Sequence, residues 1–391
     1  MMRSPKKVLL YPPASKIHTA YKSLISSPPQ GYIFIQALES KKQKTFNYLR
    51  NFSLIRKIYS LFIKVFKTTK MLDLSDSPIE IEDVDLIFSR GYIYKGAKPY
   101  VIDVIDNIYC LAGYNYSLFI HNLKKIEKSL LEDNCKKIIC ANESSFQMMK
   151  KYFSDNVLKK TVLVRPAINL LDFENKRDNK KIRFLFMGSI NNPKDFDFKG
   201  GLNSIEVFDV LSKKYDNIGL VIRSQVPEEI KERIKSNSKI NLMDNEISFE
   251  EIINLYSSSD ILLCPSHTYL GLMALLESMS FKLPIVALDT YAAKDYVKDK
   301  YNGFVVPKSK NVNGYYDPSY PTNVRSKEFL KEIKNIDNLV INNLVEKSEV
   351  LIENKNLRKR MGENSRKIII SKFSIPIRNK KLKRIFDEAT N

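Results

Sequence analysis

Asp260-Ile261-Leu262-Leu263-Cys264-Pro265-Ser266, followed by Gly271-Leu272-Met273-Ala274-Leu275-Leu276-Glu277-Ser278-Met279-Ser280 and then Leu283-Pro284-Ile285-Val286-Ala287, is the stretch whose reading decides the fold. A short apolar run is stopped by proline, a helix-length segment follows, and a second short run comes after it. Strand, crossover helix, strand is the repeating unit of a parallel sheet with helices on its faces.

The same alternation extends outward in both directions. In the second half, strands are expected at Ile182–Met187, Ile218–Ile222, Ile240–Met243, Ile261–Leu263, Pro284–Ala287 and Phe304–Val306. In the first half they are expected at Val8–Tyr11, Tyr32–Ile35, Val84–Phe88, Tyr100–Val104, Lys137–Cys140 and Thr161–Val164, with a helix over Tyr116–Leu131. The polar segment Asp172–Lys181 predicts an exposed connection between the halves. From about Asn323 the tail reads as helices, with breaks expected at Met361-Gly362-Glu363-Asn364 and at Phe373-Ser374-Ile375-Pro376. Pro376 suits the first turn of a last helix.

At 391 residues the chain is longer than the roughly 250–300 at which a single core stops growing, so two domains are the default. Apolar residues at 43% and charged residues at 28% exclude a disordered chain. The 64 Lys and Arg against 44 Asp and Glu give a net charge of +20, which points to an anionic partner without choosing among nucleic acid, acidic membrane and phosphorylated ligand. Cys110, Cys135, Cys140 and Cys264 form no CxxC pair, and only His18, His121 and His267 could join them on a metal, so they read as reduced core thiols and no metal is expected. No apolar run approaches the roughly 20 residues needed to span a bilayer, so a cytoplasmic location is expected.

Residues 41–70 hold nine basic and no acidic residues. At helical spacing Leu54, Ile55, Ile58, Leu61, Phe62 and Val65 share one face, opposite Arg56, Lys57, Lys64 and Lys67. The pattern over 41–67 suits a helix lying on an anionic membrane surface, and equally a core helix with a solvated outer face.

The strand Arg183-Phe184-Leu185-Phe186-Met187 ends in Gly188-Ser189, and Phe198-Lys199-Gly200-Gly201 precedes a helix starting near Leu202. Glycine amides, a helix N-terminus and a lysine can converge there on phosphate, although glycine after a strand is also common turn punctuation. From spacing alone Glu277 is either a ligand-binding carboxylate or a helix-capping one.

Taken in order, Phe186-Met187-Gly188, Lys199-Gly200, Tyr256 to Asp260, Pro265-Ser266, Glu277 and Asn302-Gly303-Phe304-Val305-Val306 span residues 182–307. Together they resemble the donor-site signature of the family 4 retaining glycosyltransferases of GT-B fold, and the likeness continues weakly through Lys372-Phe373-Ser374. The resemblance implies an α/β architecture of two Rossmann-like domains, with mostly parallel sheets facing across a cleft. Residues 1–170, completed by a C-terminal helix at about 374–391, would form the acceptor domain, and 180–372 the donor domain. It also implies a hexosyl-type transferase using a UDP- or GDP-sugar, without cofactor or metal; no nucleic-acid motif appears in the sequence, so no nucleic-acid partner is expected. Glu277 would hold the ribose hydroxyls and Lys199 would neutralise the departing diphosphate as a catalytic group. Gly188, Ser189, Gly200, Arg223, Tyr269, Gly271 and Leu272 would complete the donor site, with Pro13, Ala14 and Asp103 on the acceptor side.

Several positions depart from the pattern. Tyr269 stands where the first glutamate of the Glu-x7-Glu element belongs, and Leu272 where a glycine belongs, with Gly271 one residue early. Ser189 replaces an arginine, leaving Lys194 or Arg223 to supply the second cation. In Pro99-Tyr100-Val101-Ile102-Asp103-Val104-Ile105-Asp106 the expected histidine is Ile105, so Asp106 alone represents the His-Asp pair, in a catalytic role or as a turn cap. His121 reads as packed. The sequence therefore supports an enzyme that glycosylates a glycan, glycolipid or other acceptor at the inner face of a membrane. The alternatives are a catalytically degenerate sugar-binding or partner-binding module and, last, a nucleic-acid-binding protein.

Overall fold

The computed structural model describes residues 4–11, 19–36, 83–104, 107–178, 180–268, 272–312 and 326–391. The basic stretch 41–67, Pro13, Ala14, Ile105, Asp106, Tyr269 and Gly271 lie outside the described residues, as does the side chain of Leu272.

The chain forms two compact units, Met1–Ala167 with Ile375–Asn391, and Ile168–Ser374. In the first, β1 (Lys6–Tyr11), β2 (Tyr32–Gln36), β3 (Leu86–Arg90), β4 (Tyr100–Asp103), β5 (Cys135–Cys140) and β6 (Thr161–Leu163) form a parallel sheet in the order β2-β1-β3-β4-β5-β6. In the second, β7 (Ile182–Met187), β8 (Ile218–Arg223), β9 (Ile240–Met243), β10 (Ile261–Cys264), β11 (Ile285–Leu288) and β12 (Gly303–Val306) form a parallel sheet in the order β12-β11-β10-β7-β8-β9. All twelve expected strands are present, displaced at their ends by up to two residues.

Parallel strands covered on both faces read as unbroken apolar runs, and β7 shows the reason. Phe184 and Phe186 pack into one buried cluster with Phe208 and Ile222, while Leu185 between them packs into another with Leu262, Leu276 and Ile369. The last helix, Ile375–Thr390, belongs to the first unit. Its Phe386 meets Tyr32, Phe34 and Phe88 edge-on at ring distances of 5.2, 6.1 and 6.1 Å. Its buried Arg378 donates to Ser23 Oγ at 2.6 Å and to the carbonyl of Ser27 at 2.9 Å.

Four local expectations are corrected. The helix over Tyr116–Leu131 is two helices, Tyr116–His121 and Leu123–Leu131, because Asn122 turns its side-chain amide onto the Leu118 carbonyl at 2.8 Å. His121, at the end of the first, is exposed and not packed. Met361–Asn364 does not break the tail: helix runs unbroken from Lys355 to Lys372. Gly362 is there for close packing, since a Cβ on it would lie 2.1 Å from the Lys282 carbonyl oxygen. The segment 172–181 is exposed at most of its described positions, as expected, but it lies within the second unit and not between the two. Phe173 stacks near Phe281 at 4.6 Å, and Arg177 donates to the carbonyls of Ser259 and Phe281 at 2.7 and 2.6 Å, fastening the segment to the second unit.

Candidate active site

In the second sheet β7 and β10 are neighbours, but the chain goes from β7 to β8 and β9 on one side, and from β10 to β11 and β12 on the other. The loops leaving the carboxyl ends of β7 and β10 therefore diverge, and a ligand crevice forms at such a switch point. Both loops carry residues singled out from the sequence.

They also hold each other. The loop after β7 returns through Phe198-Lys199-Gly200, with Gly200 left-handed at φ 79°. The Phe198 carbonyl accepts from the His267 backbone N–H at 2.9 Å and from the Ser266 hydroxyl at 3.4 Å. Gly200 is pressed against the opposite turn, where a Cβ would stand 1.9 Å from the Pro265 carbonyl oxygen. Lys199 thereby lines a small pocket with Met187, Cys264, Ser266 and Ala274. The thiol of Cys264 is pushed up to about 11 by burial, against the pull of Lys199, and is protonated at neutral pH. Gly188 follows β7 directly, its N–H on the Arg223 carbonyl at 2.9 Å, and the Ser189 N–H donates to Ser224 Oγ at 3.2 Å.

Glu277 lies in the second turn of the Leu272–Ser280 helix, beyond the first turn where a capping role applies. Its Oε2 accepts from the hydroxyl of the buried Tyr256 at 2.8 Å. Burial raises the Glu277 carboxyl above the usual range, while the Tyr256 hydrogen bond and the Arg223 charge pull it down. Tyr256 is raised by burial and by Glu277. Arg223, the last residue of β8, has a buried Nε without a hydrogen-bond partner among the described residues. A buried donor left unpaired costs about 1–3 kcal/mol, a cost that an anionic or hydroxylated ligand would offset.

The places of two of these residues are not legible in the sequence. His267 is buried beside the Pro265 turn, with Nε2 3.3 Å from Asn203 Oδ1, and burial holds it down to about 4, so it is neutral at physiological pH. Tyr256 stood within the motif series, but nothing in its spacing linked it to Glu277. The buried Asn302 turns inward to the Tyr296 carbonyl at 3.3 Å and Ser365 Oγ at 3.4 Å, so that part of the signature shapes the fold.

In the first unit Asp103 ends β4 and accepts from the Tyr21 hydroxyl at 3.1 Å. Its register partner Arg90 ends β3, with the guanidinium 5.4 Å from the Tyr21 ring centre. The four cysteines are free thiols, three of them buried. Among the described residues there is no group of three His, Cys, Asp or Glu that could hold a metal, and no helix long and apolar enough to cross a membrane.

Residues 167–315 match the family model described as glycosyl transferases group 1. An uncharacterized glycosyltransferase of Haemophilus influenzae is 27% identical over 266 residues, 65% of this chain and 68% of that protein. The crystal structure of a glycosyltransferase from Rickettsia africae superposes with a TM-score of 0.58 at 16% identity, covering 99% of each chain. That of Anabaena Alr3699/HepE in complex with UDP and glucose gives 0.57 at 11% identity, covering 98% of this chain and 99% of the other. These neighbours share the pair of parallel Rossmann-like sheets.

Proposed function

We propose that this chain, a glycosyltransferase of the GT-B fold, binds a UDP- or GDP-sugar at the β7/β10 switch point of its second unit and transfers the sugar with retention of anomeric configuration. The observation that carries the reading is the Tyr256-Glu277-Arg223 arrangement. A carboxylate fixed through one oxygen keeps the other for ribose hydroxyls, and Arg223, whose buried Nε has no hydrogen-bond partner among the described residues, is near enough for its charge to act on that carboxylate. The neighbouring structure from Anabaena is described with UDP and glucose bound, in keeping with that donor class.

Lys199 faces the diphosphate in this reading, while the Gly188, Ser189 and Gly200 N–H groups are held by the Arg223 carbonyl, Ser224 Oγ and the Asp197 carbonyl and shape the loops that carry it. As the glycosyl bond breaks, negative charge grows on the leaving phosphate, and a fixed ammonium group stabilises that charge more than it stabilises the bound donor. Arg223 supplies the cation that Ser189 does not. The acceptor oxygen attacks from the face the phosphate leaves, so the protein's work is positioning and charge stabilisation. No residue is assigned to a metal or cofactor. The acceptor is a glycan or glycolipid, brought by the first unit to a cytoplasmic membrane surface that the +20 charge and the basic stretch 41–67 would favour.

Thermal shift with UDP, GDP and their sugars tests the donor, since a ligand of the folded state raises the melting temperature. Stabilisation by one nucleotude series is expected, and none by any would refute the site. Lys199→Ala should lower turnover far more than donor affinity. Unchanged turnover refutes its role, and nucleotide binding without any transfer or sugar hydrolysis would favour the degenerate binding module that Tyr269 and Ser189 suggest.

A further inference from the structure

The turn that carries Lys199 is gripped by a helix that lies outside the family match. Helix Lys327–Lys334 comes after residue 315, where the likeness to the group 1 model ends, and it opens at Ser326, whose hydroxyl oxygen accepts from the Phe329 N–H at 3.0 Å. From this helix the fully buried Phe329 lays its ring along that of Phe198, with centres 6.3 Å and planes 6° apart, in a small cluster with Val312 and Ile333. Lys334, the last residue of the helix, sets its Nζ 3.3 Å from Oδ2 of Asp197. The two grips therefore fall on the two residues directly before Lys199.

Asp197 is the part that packing alone does not explain. It is only 5% exposed, in the short helix Asp195–Phe198, between two buried phenylalanines. An apolar side chain would fill that place without the cost of taking a carboxylate out of water. Burial pushes the Asp197 carboxyl above the usual range, and Lys334 pulls it back. A buried ion pair gives register in return: two stacked rings tolerate sliding, whereas an ammonium on a carboxylate fixes one setting. That setting passes to Lys199 through the backbone, because the Lys199 N–H donates to the Asp195 carbonyl and the Gly200 N–H to the Asp197 carbonyl, both at 2.9 Å.

We propose that helix Lys327–Lys334 is a brace for the catalytic turn, with Lys334, Asp197 and Phe329 as positioning residues that hold Lys199 at the diphosphate of the donor. The proposal rests on the donor reading above and adds to it residues that act on the donor only through Lys199.

Isothermal titration of the full chain with UDP, UMP, GDP and GMP tests it. The ratio of monophosphate to diphosphate Kd reports how well Lys199 meets the second phosphate. In the series that binds, Lys334→Met should shrink that ratio by about threefold or more, the effect of a small misplacement of a charged group, and leave the monophosphate Kd unchanged within about twofold. Lys334 is 45% exposed, so its replacement opens no core. Asp197→Asn should shrink the ratio as well, although it removes a negative charge where Lys334→Met removes a positive one. An effect of charge through space would move the two in opposite directions, and a merely structural helix would change the melting temperature without changing the ratio. Lys334→Arg should keep the wild-type ratio. An unchanged ratio in Lys334→Met, or opposite shifts in the two variants, overturns the proposal. Lys199→Ala should collapse the ratio, and adding Lys334→Met to it should change nothing more. A ratio that survives Lys199→Ala would sink the donor role of Lys199 and the brace with it. A ratio that Lys199→Ala collapses and Lys334→Met does not would sink the brace alone.

Discussion

Replacing Gly200 by alanine tests the geometry of the switch point most directly. The new Cβ would begin 1.9 Å from the Pro265 carbonyl oxygen, and side-chain carbons do not approach closer than 3.0 Å, so the two loops must part by about 1.1 Å. The left-handed backbone at φ 79° adds about 1–2 kcal/mol for any residue with a Cβ. Relaxation draws on the hydrogen bonds that the Phe198 carbonyl accepts from His267 and Ser266, and it carries Lys199 with it. A shift of about 1 Å in a charge-stabilising group can cost about 100-fold in rate. Turnover should therefore fall by about two orders of magnitude, with donor affinity reduced less, while the melting temperature drops by several degrees. Steady-state kinetics with the donor found by thermal shift, together with calorimetry, separates these effects. A variant that loses stability but keeps wild-type turnover would refute the idea that contact between these loops places Lys199.

Tyr256→Phe removes the hydrogen bond that lowers the Glu277 carboxyl, so Glu277 should protonate at higher pH and nucleotide affinity should fall off earlier on acidification; an acid limb that does not move, followed by isothermal titration across pH, would contradict the pairing. His267, held down to about 4, contributes stability that is present above its ordinary 6.5 and is lost as pH falls from there toward 4, about 3 kcal/mol over the window. His267→Gln should flatten that part of the unfolding free energy against pH, and an unchanged slope would show that another group titrates. Gly362→Ala should destabilise the second unit by more than about 2 kcal/mol although alanine is the better helix former, because the Lys282 carbonyl blocks the site; stabilisation in a denaturant titration would contradict that contact.

The strands were readable because the sheets are covered on both faces, which makes each a run of apolar residues bounded by turn residues. The helices were less so. Met361-Gly362-Glu363-Asn364 looks like a helix break until the Lys282 carbonyl is seen against Gly362, and Asn122 ends a helix that periodicity alone would carry through. In the site, Lys199, Gly200, Gly188 and Glu277 were found because a motif series marks them in order. In the sequence His267 suggests only a metal ligand, and no local pattern announces that burial will keep it neutral.

What the sequence determined by itself is therefore the set of parallel strands, the two-unit division of labour between apolar runs, and the positions where phosphate-binding residue types recur after strands. These depend on neighbours within a few residues and on whether a strand is buried. What only the tertiary structure decided is which distant side chains meet. Tyr256 reaches Glu277 across 21 positions, His267 approaches Asn203 across 64, and Gly200 abuts Pro265. Those contacts are set by how each crossover helix returns over the sheet, a geometry that hydrophobic periodicity constrains to a face but not to a partner.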